Sequence, residues 1–552
     1  VDAVVDAMAA AATAHAHRLA QLAVEETTYG KVADKVQKNL FASQRVHAAI
    51  RSMPTVGELR RDPERGIIER GESMGVVAAI LPCTNPTSTA IYKILIALKA
   101  GNGIVLSPHP AAMRCICETV GVMRQAALAA GAPADLIVCF STPTRAGTQA
   151  MMSHARTRVI LATGGMGIVR AAYSSGKPAF GVGPGNVPAY IDRSANLEQA
   201  VADVVAGKSF DWGTICSSEQ SIVAEAALRQ PILDQLQKQD VYLLNPEETK
   251  RLGNLLIQGE AFTVNPACVG QSPQKLAALA GFGERVGPQV RALAAELEGM
   301  GKQHPLSAEK LSPVLALFFL PDRESALQRC HDLLRFGGLG HTCVIHAQDE
   351  AAVRDYGARM PAFRVVVNSP APQGSIGLTT NLFPAMTLGC GAIGGNITSD
   401  NIGPQHLINI KRIAWAAPPP CACQHASPLT VPVEAAWRHP EPSARQEKAG
   451  EPPSGPDPLD PLRRAIERAL AERGIHPAPP PPAAPPPSAA AAMPFAPPPL
   501  PPQPKPVSFV CEADVRAASA EGRKIPIGPK TILTPAARDL GNERDTFEPV
   551  GI

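Results

Sequence analysis

The chain has 552 residues, a formal net charge of +3 and only 18% charged residues, which allows three or four domains and gives no electrostatic footprint for nucleic acid. No apolar run approaches the roughly 18 residues of a membrane span. The twelve cysteines form no regular framework, which favours a reduced, cytoplasmic protein. The start at Val1, without an initiator Met, leaves open that an upstream segment has been removed.

Strand and helix patterns alternate over the first third of the chain. Apolar residues at helical spacing predict two helices, over 1–30 and 31–50. The strands predicted next are 75–82, 102–107, 136–140 and 159–162, followed in turn by helices at 88–100, 111–130 and 147–153 and by one that ends near 174. Right-handed crossovers would join such strands into a doubly wound parallel sheet, which binds ligands at the carboxyl ends of its strands.

A second α/β segment is predicted over about 208–368, preceded by a helix at 197–207. Its expected elements are strands at 221–224, 311–320 and 364–368 and a helix at 323–334. After a stretch rich in glycine and small residues, 379–401, the apolar segment from Leu407 to Trp415 is expected to pair as an edge strand.

Cys216 is the candidate nucleophile. It lies between the helical run 197–207 and the β-branched run that starts at Ser221, so its thiol falls in a connecting loop, where reactive groups tend to be found. The competing interpretation is that a single cysteine in a reducing compartment is a small buried hydrophobe.

Two glycine-rich turns are candidate ligand sites. Thr163-Gly164-Gly165-Met166-Gly167 lies between a strand and a helix, where a pyrophosphate can approach the helix N-terminus. It does not match G-x-G-x-x-G, and an ordinary tight turn is the alternative. The same alternative applies to Gly181-Val182-Gly183-Pro184-Gly185-Asn186.

Several separated stretches together resemble one family. They are Thr214-Ile215-Cys216, Asn85 after a strand, Thr163-Gly164-Gly165, Gly183-Pro184-Gly185-Asn186 and Gly340-His341-Thr342. Over 1–415 they are similar to the CoA-acylating branch of the aldehyde dehydrogenase superfamily, especially the propionaldehyde dehydrogenases of propanediol utilisation in bacterial microcompartments. The resemblance implies an α/β fold with a doubly wound dinucleotide-binding domain and an α/β catalytic domain, with NAD and CoA as cofactor and co-substrate.

The resemblance also implies roles for individual residues. Cys216 would be the nucleophile and Asn85 an amide donor to the oxyanion. The residues expected to border the nicotinamide cofactor are Thr163, Gly164, Gly165, Gly183, Ser107, Pro108 and Glu309. Ser107-Pro108-His109 stands where hydrolytic members carry a lysine for the adenosine ribose, so the choice between NAD and NADP is left open.

One absence in the sequence bears on mechanism. Hydrolytic members carry a glutamate before Leu-Gly-Gly to activate water, whereas the matching stretch here, Phe180 to Asn186, has no carboxylate. A thioester on Cys216 would then persist until the CoA thiol attacks it. His341 is expected either to orient or deprotonate CoA, since histidine titrates near neutrality, or to be a satisfied structural histidine at a helix end.

A proline-rich tail follows, and 28 of the 56 prolines lie between Pro418 and Pro506. This composition cannot bury enough apolar surface to offset its ordering entropy, which predicts a disordered tail. Within the tail, 457–475 has an apolar stripe opposite Arg and Glu, as in an amphipathic helix that needs a partner. It resembles the encapsulation peptides that tether enzymes to microcompartment shells, and packing on the enzyme's own body is the alternative. A short helix is expected at 512–521.

The predicted organisation has seven parts. They are a dinucleotide-binding domain 1–207, a catalytic domain 208–385, a return segment with a dimerisation strand 386–416, a linker 417–456, the amphipathic helix 457–475, a linker 476–506 and a segment of unknown role 507–552. By resemblance, the expected partners are a short-chain aldehyde (propionaldehyde preferred), CoA, shell proteins bound through the amphipathic helix, and further copies in a homodimer or dimer of dimers in the microcompartment lumen. No metal site is predicted, because Cys421-Ala422-Cys423-Gln424-His425 lacks a second ligand pair.

Three alternative functions stay open at this point. A hydrolytic aldehyde dehydrogenase would release the free acid without CoA, and a reductase of acyl phosphates would use phosphate in place of CoA. A shell-binding scaffold without catalysis is the third, and the presence of both Cys216 and Asn85 argues against it.

Overall fold

The computed structural model describes residues 1–259, 262–416, 507, 509–510, 512–528, 531–533, 537, 540–541 and 546–549. The chain divides into two compact units, Val1–Pro428 and Leu429–Ile552. The linkers predicted at 417–456 and 476–506, the amphipathic helix predicted at 457–475 and the cysteines at 421 and 423 lie outside the described residues.

The helices of the first unit are α1 (Asp2–Ala14), α2 (Ala16–Thr27), α3 (Val32–Leu40), α4 (Val46–Arg51), α5 (Pro86–Lys99), α6 (Met113–Ala129), α7 (Arg145–Ser153), α8 (Met166–Tyr173), α9 (Leu197–Ser209), α10 (Arg229–Lys238), α11 (Pro246–Leu256), α12 (Pro273–Leu279), α13 (Arg323–Gly337), α14 (Glu350–Arg359) and α15 (Ala371–Ser375). The helix predicted over 1–30 is broken at His15, and a π-helical turn, Phe41–Arg45, joins α3 to α4. The helices predicted between the strands of the first third are present, with ends that differ by a few residues.

The strands of the first unit are β1 (Gly57–Asp62), β2 (Ile67–Ser73), β3 (Val76–Ile80), β4 (Gly103–Ser107), β5 (Ile137–Cys139), β6 (Thr157–Thr163), β7 (Ala179–Val182), β8 (Val187–Ile191), β9 (Glu219–Glu225), β10 (Val241–Leu243), β11 (Ile257–Gln258), β12 (Thr263–Val264), β13 (Ala292–Glu296), β14 (Val314–Leu320), β15 (Gly340–His346), β16 (Ala362–Val367) and β17 (Ile408–Ala414). Two parallel sheets dominate, with strand orders β5-β4-β3-β6-β7 and β10-β13-β14-β9-β8-β15-β16. The non-sequential order shows helical crossovers, which confirms the doubly wound α/β prediction.

Each parallel sheet is buried on both faces, as its continuous apolar strands predict. On β3, Val77 and Ala79 face the cluster formed with α1, α5 and α6, while Ala78 and Ile80 face Met151 of α7 on the other side. This alternation follows from the two-residue repeat of a strand. The rigid sheet therefore fixes the positions at which its strands end.

The boundary between the two parallel sheets differs from the sequence prediction. β8 pairs with β9 and β15, and α9 packs on the same sheet. β8 and α9 therefore belong to the second parallel sheet, although the sequence prediction assigned residues up to 207 to the first domain. The connection between the sheets is 183–186, the second glycine-rich turn. The strands of the first unit that were not anticipated from the sequence are β1, β2, β7, β8, β10, β11, β12, β13 and β15.

A third, antiparallel sheet has the order β1-β2-β17. β17 pairs with β2 along its whole length and lies at the sheet edge, which confirms the edge strand predicted at 407–415. Ile410, Ile413 and Trp415 of this segment are more than 40% exposed. Its role in dimerisation stays a prediction.

The second unit is described in short segments. The strand β18 (Phe509–Val510) pairs in parallel with β20 (Ile532–Leu533), and β19 (Ile525–Ile527) pairs with β21 (Phe547–Pro549). The helix predicted at 512–521 is present as α16 (Glu512–Ala520). Across the described parts of both units, no helix combines the length and apolar character that crossing a membrane requires.

Candidate active site

A cavity of about 690 Å³ opens at the carboxyl ends of the five-stranded sheet. Its wall is formed by the segments after β3, β4, β5, β6 and β7, by α7, by the loop that joins α9 to β9 and by residues 309–311. Sheets of this kind bind ligands at this end. The predicted site residues that line the cavity are Asn85, Ser107, Pro108, Thr163, Gly164, Gly165, Gly183, Cys216 and Glu309. His341 is not among its lining residues.

The loop from Phe210 to Ser218, here called the nucleophile loop, carries Cys216 and has an unusual backbone. Asp211, Trp212 and Gly213 have φ angles of 47°, 51° and 71° in succession. Residues with a Cβ rarely adopt this left-handed region, and they persist there only where surrounding contacts hold them. The conformation of the nucleophile loop is therefore imposed by its contacts.

Asp211 is the anchor of the nucleophile loop and is fully buried. Its carboxylate accepts hydrogen bonds from the Lys31 N–H at 2.8 Å, the Thr214 hydroxyl at 2.7 Å and the Lys35 ammonium at 3.0 Å. It also forms an ion pair with Lys38. Burial alone would raise the pKa of Asp211, but the two lysines hold it below its usual value. These charge-assisted hydrogen bonds tie α3 to the nucleophile loop.

Cys216 is partly exposed to the cavity. Burial and the nearby Glu309 carboxylate raise the pKa of its thiol to about 12, and the charge of Arg364 acts in the opposite direction. The thiol is therefore protonated at neutral pH in this state. Because the thiolate is the nucleophile, the reaction requires removal of this proton when substrate is bound.

Asn85 follows β3 and is the residue from which α5 begins. Its amide nitrogen donates to the Thr84 hydroxyl at 3.2 Å and to the Thr214 carbonyl at 3.4 Å, and its amide oxygen accepts from Lys38 Nζ at 2.5 Å. The amide NH₂ group thus faces the nucleophile loop. A donor in this position can stabilise negative charge that develops beside Cys216.

The wall at the end of β6 fits a dinucleotide. The Thr163 hydroxyl oxygen is buried and makes no hydrogen bond within the described chain. A Cβ on Gly165, at the start of α8, would meet nothing within 4 Å, so this turn leaves open space before the helix N-terminus. The backbone N–H groups at such a terminus favour a pyrophosphate. Ser107 is held nearby, with its hydroxyl 2.7 Å from that of Thr148.

Glu309 supplies a carboxylate to the cavity wall. Its Oε1 accepts a hydrogen bond from the Gly185 N–H at 3.0 Å. Withdrawal from water raises the pKa of Glu309 to about 7, so this carboxyl holds its proton far more readily than an exposed glutamate does. Among the described residues that line the cavity, it is the only acidic one.

His341 does not have the helix-end position of the structural alternative. It lies in β15 and not at a helix end, it is fully buried, and its Nε2 has no partner within the described chain. Its Nδ1 lies 3.0 Å from the Thr342 hydroxyl. Burial, reinforced by the charge of Arg364, lowers the pKa of His341 to about 3, which makes the imidazole a weak base near neutrality. The ring reaches the site indirectly, because Gly185 separates it from the Cys216 backbone.

Sequence reasoning missed several residues that support the site. Lys35, Lys38 and Asp211 form the buried ion cluster beneath Asn85, and Arg364 donates to the Ser399 carbonyl at 3.0 Å while its charge acts on Cys216. The available signal was the pair of lysines three residues apart on α3, which share one helix face. Among the described residues, no cluster of three or more His, Cys, Asp or Glu side chains could hold a metal ion.

A family model for the aldehyde dehydrogenase family matches residues 2–283. Over 422 residues the chain is 43% identical to the bifunctional aldehyde-alcohol dehydrogenase AdhE of Escherichia coli K12, covering 76% of this chain and 47% of that protein. It is 35% identical over 417 residues to the succinate-semialdehyde dehydrogenase (acetylating) of Clostridium kluyveri, covering 75% and 90%. The chain thus spans about half the length of the first relative.

The similar solved structures are also aldehyde dehydrogenases. An acetylating aldehyde dehydrogenase from Geobacillus thermoglucosidasius is 48% identical with a TM-score of 0.74, covering 76% of this chain and 91% of that one. A propionaldehyde dehydrogenase from the Clostridium phytofermentans fucose utilisation microcompartment is 28% identical with a TM-score of 0.67, covering 75% and 91%. One from Rhodopseudomonas palustris, with bound CoA and an acylated cysteine, is 26% identical with a TM-score of 0.67, covering 75% and 92%.

Proposed function

This chain belongs to the aldehyde dehydrogenase family, and from that membership we propose that it is a CoA-acylating enzyme that converts a short-chain aldehyde, NAD and CoA to acyl-CoA and NADH. The observation that carries the proposal is the cavity wall next to Cys216. There the glycine-rich turn 181–186 offers backbone groups and no carboxylate to activate water. The relatives whose names include acetylating or acylating activity agree with it.

The first step uses Cys216 and Asn85. Once the Cys216 thiol has lost its proton to solvent, the thiolate sulfur forms a bond to the aldehyde carbon. The C=O π bond breaks, and the negative charge passes from sulfur to the oxygen of the resulting thiohemiacetal. The Asn85 amide NH₂ and the Cys216 backbone N–H donate to this oxygen. Removal of one such donor typically lowers the rate by about 10²–10³-fold.

The second step converts the thiohemiacetal into a thioester on Cys216. NAD, when bound, supplies the hydride acceptor. Thr163, the N–H groups at the start of α8 and Glu309 are the residues that would hold it, which is supported by their lining the same cavity as Cys216. Water has no dedicated base in the turn 181–186, so the thioester persists until the CoA thiol displaces Cys216.

His341 is proposed to act by position. Its low pKa makes it a poor acceptor for the CoA proton. Its Nε2 has no hydrogen-bond partner within the described residues and is available as one, while the ring lies beside Gly185. Glu309, with a pKa near neutrality, is a group on the wall that can exchange a proton. The same carboxylate supports the second candidate, a hydrolytic aldehyde dehydrogenase in which Glu309 would activate water.

The finer assignments are also proposals. We infer that propionaldehyde is the preferred aldehyde and that NAD is preferred over NADP. The five-stranded sheet would bind the dinucleotide, and the seven-stranded sheet would carry the nucleophile. The segment 457–475 would tether the enzyme to shell proteins inside a bacterial microcompartment, and β17 would form the homodimer. Support comes from the sequence of 457–475 and from the microcompartment origin of one structural neighbour.

The decisive assay is NADH formation from propionaldehyde and NAD with and without CoA. The proposal predicts turnover that depends on CoA and yields propionyl-CoA. Equal rates in both conditions, with propionate as product, would establish the hydrolytic alternative and assign water activation to another group. Parallel assays with NADP and with acetaldehyde and butyraldehyde test the cofactor and chain-length assignments.

A further inference from the structure

Asn85 occupies a position where asparagine normally performs another task. It is the N-cap of α5, and asparagine at an N-cap usually accepts a hydrogen bond from an N–H of the first helical turn. No such bond is present. The side chain instead points away from the helix, toward Lys38 on one side and the Thr214 carbonyl on the other. Something other than helix capping therefore sets its orientation.

The chemistry of the lysine decides which way the amide faces. An ammonium group only donates, so Lys38 Nζ, 2.5 Å away, selects the amide oxygen of Asn85. The amide nitrogen must then point to the opposite side, where the Thr214 carbonyl lies 3.4 Å away and Cys216 follows two residues later. Without a pure donor at this place, the oxygen and nitrogen ends of the amide could exchange.

Asp211 holds Lys38 where it is needed. Both side chains are almost completely buried, with exposures of 2% for Lys38 and 0% for Asp211. Burial lowers the pKa of Lys38 to about 8 even though Asp211 favours its charge, so Lys38 remains protonated at neutral pH. The same carboxylate anchors Thr214 in the nucleophile loop. The buried Asp211 carboxylate thus fixes both Lys38 and the nucleophile loop.

We propose that Lys38 is a positioning residue for Asn85: its ammonium group, anchored by Asp211, holds the amide oxygen and thereby turns the amide NH₂ group toward the oxyanion formed at Cys216. This inference rests on the function proposed above, since it gives Asn85 an oxyanion to stabilise. Lys38 itself contacts neither the cavity nor Cys216 within the described structure. It acts through Asn85.

Lys35 provides a matched control. It lies on the same helix, its exposure is also 2%, and it pairs with the same carboxylate oxygen of Asp211 at 3.0 Å. Its other hydrogen bond goes to the Thr84 carbonyl at 2.9 Å, and not to Asn85. Lys35→Met therefore removes an equivalent buried charge and leaves the amide of Asn85 with its partner.

The test is a double-mutant cycle. Lys38→Met and Lys35→Met are each made in the wild-type chain and in Asn85→Ala, and kcat for CoA-dependent NADH formation is measured. Lys38→Met is expected to lower kcat by about 10²-fold, approaching the loss of an oxyanion donor, with little change in KM for CoA. In Asn85→Ala the same substitution should have no further effect, whereas the effect of Lys35→Met should be equal in both backgrounds.

Two results would overturn the positioning role. One is an undiminished loss from Lys38→Met in the Asn85→Ala background, which would mean that Lys38 serves only to balance the charge of Asp211. The other is a Lys38→Met variant with wild-type kcat. If Lys38→Met does not fold, Lys38→Arg and Lys38→Gln replace it. Arginine only donates hydrogen bonds, so Lys38→Arg should retain more activity than Lys38→Gln. Glutamine both donates and accepts, which allows the Asn85 amide to flip. Equal losses in the two variants would contradict the proposal.

A CoA-independent readout separates this proposal from the proposed function. Acylation of Cys216 by p-nitrophenyl acetate forms an oxyanion at the same sulfur and releases one equivalent of p-nitrophenolate without NAD or CoA. A slower burst in Lys38→Met, and no additional slowing in Asn85→Ala, supports the positioning role even if the CoA-dependent reaction is absent. If the wild-type chain shows no CoA-dependent reaction, this result overturns the proposed function and leaves the positioning role of Lys38 standing.

Discussion

Gly185→Ala is expected to disable the site through a backbone displacement of the nucleophile. A Cβ at this position would lie 3.3 Å from the carbonyl carbon of Cys216 and much closer still to its carbonyl oxygen. Real Cβ atoms essentially never approach another atom to less than 3.0 Å, and the contact with the oxygen would be well below this limit. Relief requires the nucleophile loop to move by about 1 Å, since the opposite side is closed by the His341 ring, also at 3.3 Å. A misplacement of about 1 Å can lower a rate about 10²-fold, or about 2.7 kcal/mol of transition-state stabilisation.

The assay compares kcat, the NADH dissociation constant and the thermal midpoint of Gly185→Ala with those of Gly357→Ala. A Cβ on Gly357, in α14, meets nothing within 4 Å, so this variant carries the same chemical change without a clash. We expect a loss in kcat of about 10²-fold for Gly185→Ala, with the dissociation constant for NADH changed much less. A Gly185→Ala enzyme with wild-type kcat would refute the reasoning, because it would show that the turn can move without displacing Cys216.

Three further predictions follow from charges and boundaries. Glu309→Gln should increase the rate of Cys216 alkylation by iodoacetamide severalfold at pH 8, since the carboxylate raises the pKa of the thiol; a slower reaction would instead show that Glu309 acts as the base for Cys216. Glu219 is buried with its pKa raised to about 8, so the wild-type chain should lose stability as pH rises from about 5 to 7, by at most about 1.4 kcal/mol per pH unit from this group. Glu219→Gln should lack that contribution in urea unfolding, and identical slopes would contradict the shift. Deletion of 418–552 should leave kcat and KM nearly unchanged, because the cavity residues lie between 80 and 311, and should abolish co-purification with shells. Loss of activity would show that the tail belongs to the catalytic body.

The fold was predictable where apolar runs are bounded by clear breaks. The run Gly75 to Pro82 became β3 because it is apolar, short and flanked by glycine and proline. β8 was missed because Pro188 and the preceding glycine turn are typical of a loop, and the strand tolerates this proline at an irregularity between Val187 and Pro188. β15 was missed because Gly337, Gly338 and Gly340 indicate a turn.

The site was predictable only in part, for a physical reason. Cys216 and Asn85 stand in recognisable local patterns at the ends of their elements. The cluster beneath them joins residues far apart in sequence, since Lys38 and Asp211 are separated by 173 positions. No local pattern encodes such a contact, because it depends on how α3 packs against the nucleophile loop. The burial that sets the pKa of Glu309 and His341 is likewise a property of the folded chain.

The central claim is that Cys216 carries the acyl group between oxidation and transfer. It is tested most directly by incubating the protein with propionaldehyde and NAD in the absence of CoA, quenching in acid and locating the modification by peptide mass spectrometry. We expect one propionyl thioester per chain on the peptide that contains Cys216, discharged to propionyl-CoA when CoA is added before the quench. An unmodified Cys216 during steady NADH release, or an acyl group on another residue, would contradict it.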